Sequence, residues 1–253
     1  MFQKILIILL LISTSAQASQ SRTLTIFAES NVALPLTKIA RQFSRAANVI
    51  VSINFTSADN LIYNIDNGEP ADIFISGHNA WIEKLHQKGV IDIYNVGYIA
   101  QDQVVLATHQ KNDLMPIALA NNNIAFNDAL KILDEDKASL IIDEDGNSSG
   151  FFAKNLLEKA HLDNVRVFSR IAEDRTSLLS AIKNNKNNYS ILLASQIYNK
   201  ADFKILAKNS DIKIFYQALI IAGDNMEVAR EFLKFIKSSE AKIYFKSYGF
   251  IVN

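Results

Sequence analysis

Gly146-Asn147-Ser148-Ser149-Gly150 spells G-x-S-x-G between a β-rich run and a helical one, the spacing that presents a serine nucleophile on a sharp strand-to-helix turn. A hydrolase of that kind also needs a histidine late in the chain and within hydrogen-bond reach. The only histidine after Ser148 is His161, at the far end of the next expected helix, and about twelve helical residues span ~18 Å. His78, His86 and His109 precede the serine, which is the wrong order. The four histidines form no H-E-x-x-H and no close ligand pair, so no zinc site is expected. Asp143-Glu144-Asp145-Gly146 has the composition of a calcium loop without its register: with Gly146 sixth, Ile141 falls first and Phe152 twelfth, where a carboxylate is required. The sequence therefore predicts a protein that is not an enzyme, has no cofactor and holds no metal; a serine hydrolase using Ser148 is the disfavoured alternative.

A different constellation recurs. Four expected strand-to-helix junctions carry small polar residues where the helix starts: Glu29-Ser30-Asn31, Thr56-Ser57-Ala58-Asp59, Asn147-Ser148-Ser149 and Glu173-Asp174-Arg175-Thr176-Ser177. Any one of them is explained by helix capping. Brought together they would do more, because ligands in open α/β sheets lie outside the carboxyl ends of the strands. There, helix N-termini offer unpaired N–H groups and the positive end of the dipole. Two lobes facing each other across such junctions would surround a small anion with donors.

The elements that must position these junctions follow from periodicity. β-rich runs at Leu24–Phe27, Val49–Phe55 and Ile73–Ile75 alternate with helical stretches at about 32–46, 58–67 and 79–88, the pattern of an α/β fold with a mainly parallel sheet. A long β-rich passage from Gly97 to His109 breaks the alternation and is expected to cross between lobes. A second unit follows, with strands at Leu140–Ile142, Val165–Phe168 and Ser190–Ala194 and helices at 150–161 and 175–184. Ile212–Ile221 is the expected return crossing, and helices at about 226–237 and 239–247 close the chain on the first lobe. The runs Asn121-Asn122-Asn123 and Asn184-Asn185-Lys186-Asn187-Asn188 are expected to be turns.

Composition bounds the partners. The 253 residues carry 26 basic and 26 acidic side chains, dispersed rather than clustered, so nucleic acid is not an expected partner. Eight glycines form neither G-x-G-x-x-G nor a Walker loop. Lys4, the apolar run Ile5–Ile12 and Ala16-Gln17-Ala18 have the order of a secretory signal with its cleavage site, too short to span a bilayer. Residues 1–18 are thus expected to be removed, and the absence of cysteine excludes a lipid-modified N-terminal Cys. A periplasmic protein follows from this.

The chain also resembles the periplasmic molybdate-binding proteins of ABC transporters over nearly its whole mature length. The matching stretches are Leu24-Thr25-Ile26-Phe27-Ala28, Phe55-Thr56-Ser57, Gly68-Glu69-Pro70-Ala71-Asp72-Ile73-Phe74-Ile75-Ser76, Trp81, Ser149-Gly150-Phe151-Phe152-Ala153-Lys154, Phe232-Leu233-Lys234-Phe235 and Ala241 to Phe250 with its terminal Tyr-Gly-Phe. The resemblance implies a two-lobed type II periplasmic-binding fold, each lobe a mainly parallel sheet flanked by helices, joined by two crossing segments. Lobe I would comprise residues 19–100 and 218–253 and lobe II residues 101–217. Such a monomer would close on a small tetrahedral oxyanion, molybdate or tungstate, and deliver it to an ABC permease in the inner membrane. The same fold binding a different small solute is the alternative.

Carried over by position, the implied ligand-binding residues are Ser30, Asn31, Ser57, Ala58, Ser149, Arg175 and Leu193. Asn31, Ala58 and Leu193 stand where the family has hydroxyl-bearing side chains, whereas Ser149 and Arg175 stand at backbone-donor positions, which tolerate a change of side chain. Arg175, if it points inward, would offer a bidentate, charge-assisted pair. Glu29 and Asp59 would sit beside a dianion; they point away, pair with Arg175, or mark a different ligand.

Overall fold

A computed structural model of the protein describes residues 22–120, 124–162, 167–169 and 175–252; at 92–95, 167–169 and 175–177 only the backbone is described. The expected signal segment and the Asn121–Asn123 turn lie outside the described residues, as do Val165 and Arg166.

The first unit runs β1 (Arg22–Glu29), a 3-10 turn (Ser30–Val32), α1 (Ala33–Ala47), β2 (Val49–Thr56), α2 (Ala58–Asp66), β3 (Ile73–Ser76) and α3 (Asn79–Gln87). Helix α1 turns Leu36, Ile39, Ala40 and Phe43 inward at the 3.6-residue spacing that the sequence predicts. Asn48 ends it in the left-handed conformation, which asparagine tolerates. The chain then crosses on β4 (Ile91–His109), a strand of 19 residues. The second unit contains α4 (Ile117–Ala120), α5 (Phe126–Glu135), β5 (Leu140–Ile142), α6 (Ser148–Lys159), β6 (Val167–Ser169), α7 (Arg175–Asn184), β7 (Tyr189–Leu193) and α8 (Ala194–Ile197). Strand β8 (Phe203–Ile221) returns, and α9 (Met226–Ile236) and α10 (Ser239–Ser247) follow.

Among the described residues, eight strands form one sheet in the order β2-β1-β3-β8-β4-β7-β5-β6. Within each unit the strands are parallel: β1 with β2 and β3, β5 with β6 and β7. The crossing strands are antiparallel to each other and to their outer neighbours β3 and β7. Chains of 19 extended residues reach ~60 Å, so β4 and β8 run through both units and weld the two parallel sheets into one, with register shifts along the way. Helices α4 and α5 fill a stretch for which periodicity yielded no expectation. Phe126, Ala129, Leu130 and Leu133 nevertheless fall on one buried face of α5.

One face of the sheet carries an apolar layer that is continuous through both units, from Leu24 and Ile26 to Leu140, Ile191 and Leu193. The other face carries two separate clusters, one around Phe27, Leu61 and Phe74 and one around Val105, Leu178 and Leu192. The C-terminal helices pack on α1 of the first unit. Phe43 of α1 meets Phe232 of α9 edge-on at 5.1 Å between centroids, and Gln42 Nε2 donates to the Tyr244 hydroxyl of α10 at 3.0 Å.

Candidate functional site

Strands β1 and β3 are parallel neighbours with Ala28 beside Ile75, so their last residues, Glu29 and Ser76, emerge together at the carboxyl edge of the sheet. From the second unit, the turn after β5 brings the first residue of α6, Ser148, to the same point. Ser76 and Ser148 converge on the carboxylate of Glu29, which is fully buried. Its Oε1 accepts from the Ser76 hydroxyl and, at 3.0 Å, from the Gly77 N–H. Its Oε2 accepts from the Ser148 hydroxyl at 2.6 Å, and the Ser148 N–H at the head of α6 adds a further bond. Burial pushes the Glu29 carboxyl above the ordinary glutamate range, and these donors offset part of that rise.

Glycines at two positions make this convergence fit. A Cβ on Gly77 would lie 2.9 Å from Ile214 Cγ2 and from Tyr216 Cε1, so a side chain there would push the donor N–H away from Glu29. A Cβ on Gly150 would overlap the backbone carbonyl of Glu144 in the turn that feeds α6.

Three more contacts cross between the units. The Ala58 N–H, at the start of α2, donates to the Gly146 carbonyl at 3.0 Å. Gln196 Nε2 donates to Asn31 Oδ1 at 3.2 Å, while its Oε1 accepts from the Leu193 N–H at 2.8 Å. The His78 ring meets Phe151 edge-on with centroids 3.7 Å apart and Phe152 at 5.4 Å. Covered in this way, His78 is desolvated and its imidazole is pushed down to about 4. Its Nδ1 accepts from the Ala80 N–H, capping α3.

The structure separates the sequence-derived site residues into groups. Asn31 and Leu193, from different units, meet on Gln196, and Ala58 meets Gly146. Ser30 lies partly buried in the 3-10 turn beside Glu29. The hydroxyls of Ser57 and Ser149 turn to neighbouring carboxylates instead: Ser57 donates to Asp59, and Ser149 donates to Asp143 at 2.5 Å. Arg175 is the first residue of α7, its side chain outside the described residues. Of the alternatives for Glu29, pointing away is corrected by the structure: the side chain faces the inter-lobe junction.

Sequence reasoning missed Ser76, Gly77 and Gln196; it placed Ser148 in one of the four donor-bearing junctions and in the disfavoured nucleophile role, but not among the ligand-binding residues carried over by resemblance. Ser76 was accessible by rule, since it ends a buried parallel strand like the other junction residues. Gln196 carried no signal, because a lone glutamine after a strand has no spacing that marks it. The Ser148 hydroxyl is given to Glu29 and the His78 Nδ1 to Ala80, so no serine–histidine pair is formed by these groups.

Chemically, the arrangement is a cradle of neutral donors, two hydroxyls and backbone N–H groups, contributed by both lobes and gripping one buried carboxyl group. Comparison with known proteins matches residues 24–251 to the family described as "Bacterial extracellular solute-binding protein". The molybdate-binding protein ModA of Escherichia coli (strain K12) is 24% identical over 237 residues, covering 90% of this chain and 89% of that protein. The solved tungstate ABC transporter structure from Geobacter sulfurreducens superposes with a TM-score of 0.72 at 14% identity, covering 89% of this chain and 98% of the other. The periplasmic molybdate-binding protein of Azotobacter vinelandii gives 0.65 at 20% identity, covering 91% and 99%.

Proposed function

The chain belongs to the bacterial extracellular solute-binding proteins, and from that premise we propose that it is the solute-binding component of an ABC importer, taking up molybdate or tungstate between its two lobes. The observation that carries this reading is the donor cradle itself. Ser76, Gly77 and Ser148 direct two hydroxyls and two N–H groups at one buried point between the lobes. Neutral donors of that kind bind a small oxyanion without a basic patch, in keeping with a chain whose charges balance.

In this reading lobe I is residues 19–100 and 218–253 and lobe II residues 101–217. Ser30, Asn31, Ser57, Ala58, Ser149, Arg175 and Leu193 are assigned to the walls of the cleft, with Arg175 at the head of α7 as the cationic member. The protein acts as a periplasmic monomer that hands its solute to a membrane permease, without performing chemistry on it. No helix among the described residues is long and apolar enough to cross a membrane, which fits a component that meets its permease from outside the bilayer.

Calorimetry and thermal unfolding with molybdate, tungstate and sulfate test the assignment. A ligand at 100 times its dissociation constant stabilises the folded state by about 2.7 kcal/mol, a readily measured rise in melting temperature. Absence of heat and of any melting shift with all three anions would refute the oxyanion assignment.

A further inference from the structure

We propose that Glu29 is a tethered stand-in for the solute: its carboxylate occupies the inter-lobe donor cradle, and an oxyanion gains the cradle only by displacing it, which makes Glu29 the residue that sets affinity and selectivity. The inference rests on the oxyanion reading above and adds to it what that reading leaves unexplained, an acid in an anion site.

The geometry is that of a bound ligand. Each carboxylate oxygen is held by donors: Oε1 by the Ser76 hydroxyl and the Gly77 N–H, and Oε2 by the Ser148 hydroxyl, with the Ser148 N–H adding a further bond to the group. Ser76 and Gly77 come from the first unit and Ser148 from the second, so this one group bridges both lobes, as a captured solute would. The site is closed around it, since Ala58 donates to Gly146 and Gln196 to Asn31 across the same cleft. A dianion cannot share the cradle, because the Glu29 carboxyl already takes up its donors and fills the buried point between the lobes. Glu29 must therefore swing out, giving up its donors to the incoming oxygens. A solute that binds only the fraction of molecules with the carboxylate withdrawn sees its affinity reduced by that fraction. The side chain thus imposes a threshold, passed only by anions that use the donors better than a carboxylate does.

The test compares the full chain with Glu29→Ala and Glu29→Gln. Molybdate, tungstate and sulfate are titrated at neutral pH by calorimetry and by fluorescence of the only tryptophan, Trp81, whose ring lies 5.9 Å from His78 beside the cleft. Glu29→Ala vacates the cradle and is expected to bind molybdate at least tenfold more tightly than the unaltered protein. Glu29→Gln keeps the bulk without the charge and is expected to gain affinity less. If the unaltered protein binds an oxyanion and both folded variants bind it no better, the inference is overturned while the oxyanion reading stands. If none of the three proteins binds any of the anions, the oxyanion reading falls and the inference with it. If Glu29→Ala does not fold, Glu29→Gln decides by the same criterion; failure of both to fold would show that the carboxylate is a structural requirement and would equally overturn the inference.

Discussion

Ser148 Oγ, at the head of α6, donates a 2.6 Å hydrogen bond to Glu29 Oε2 at the end of β1, joining two lobes through residues 119 positions apart. The serine that completes a nucleophile-like G-x-S-x-G thus serves as a donor in an anion cradle. Ser148→Ala removes that hydroxyl and leaves its N–H in place. A lost bond to a buried carboxyl costs about 1–3 kcal/mol, read as a lower urea midpoint, with a larger radius of gyration in solution scattering as the lobes loosen. An unchanged midpoint would show that the bond does not hold the closed form.

Gln196 is fully buried and satisfies groups on both sides of the cleft. Gln196→Leu keeps its volume but deprives the Leu193 N–H and Asn31 Oδ1 of their bonds, at about 1–3 kcal/mol for each orphaned group. Asn31→Ala removes only one end and should cost less. In a double-mutant cycle the two substitutions should be non-additive by about 0.5–3 kcal/mol; strict additivity would mean that the inter-lobe amide bond is not made.

The turn glycines should separate cleanly. At Gly150 an added methyl meets the backbone carbonyl of Glu144, with Asp143 O at 2.5 Å, and backbone cannot step aside. Gly150→Ala should therefore lose at least about 1–3 kcal/mol through overpacking. At Gly146 the nearest atoms a methyl meets belong to the Asp59 carboxylate, the end of an exposed side chain that can shift by giving up its bonds from Ser57 and the Asn60 N–H, and the loss should be smaller than at Gly150. Equal losses in denaturant unfolding would contradict this account of the turn.

His78 should make stability depend on pH. Its folded value lies near 4 because burial against Phe151 and Phe152 penalises the charged ring, while an unfolded histidine titrates near 6.5. Between those values the unfolded chain binds the extra proton. The contribution of His78 is therefore complete above pH 6.5 and is lost as pH falls towards 4, at up to about 1.4 kcal/mol per pH unit. Proton NMR of the ring should show no titration until about pH 4 in the folded protein. A midpoint near 6.5 would mean that the second lobe does not cover His78.

What the sequence determined by itself was the set of local elements and their alternation, because hydrophobic periodicity, capping residues and turn residues act over a few positions. Strand and helix in the first unit, the two crossing runs and the closing helices were all legible, as Leu36, Ile39 and Phe43 on one face of α1 illustrate. Helix α5 was missed although Phe126, Ala129, Leu130 and Leu133 share a face, since no strong cap or breaker delimits it: Ala125 precedes it without a side-chain cap. The junctions at which a ligand site could form were also legible, being strand ends. Only the tertiary structure decided what those junctions hold. Glu29, Ser76 and Ser148 lie far apart in the chain and meet because parallel pairing sets β1 beside β3 and the β4–β8 crossing sets one lobe against the other. A carboxylate that looked like an obstacle to anion binding became the occupant of the cradle, because burial among oriented donors depends on long-range packing that no local spacing encodes.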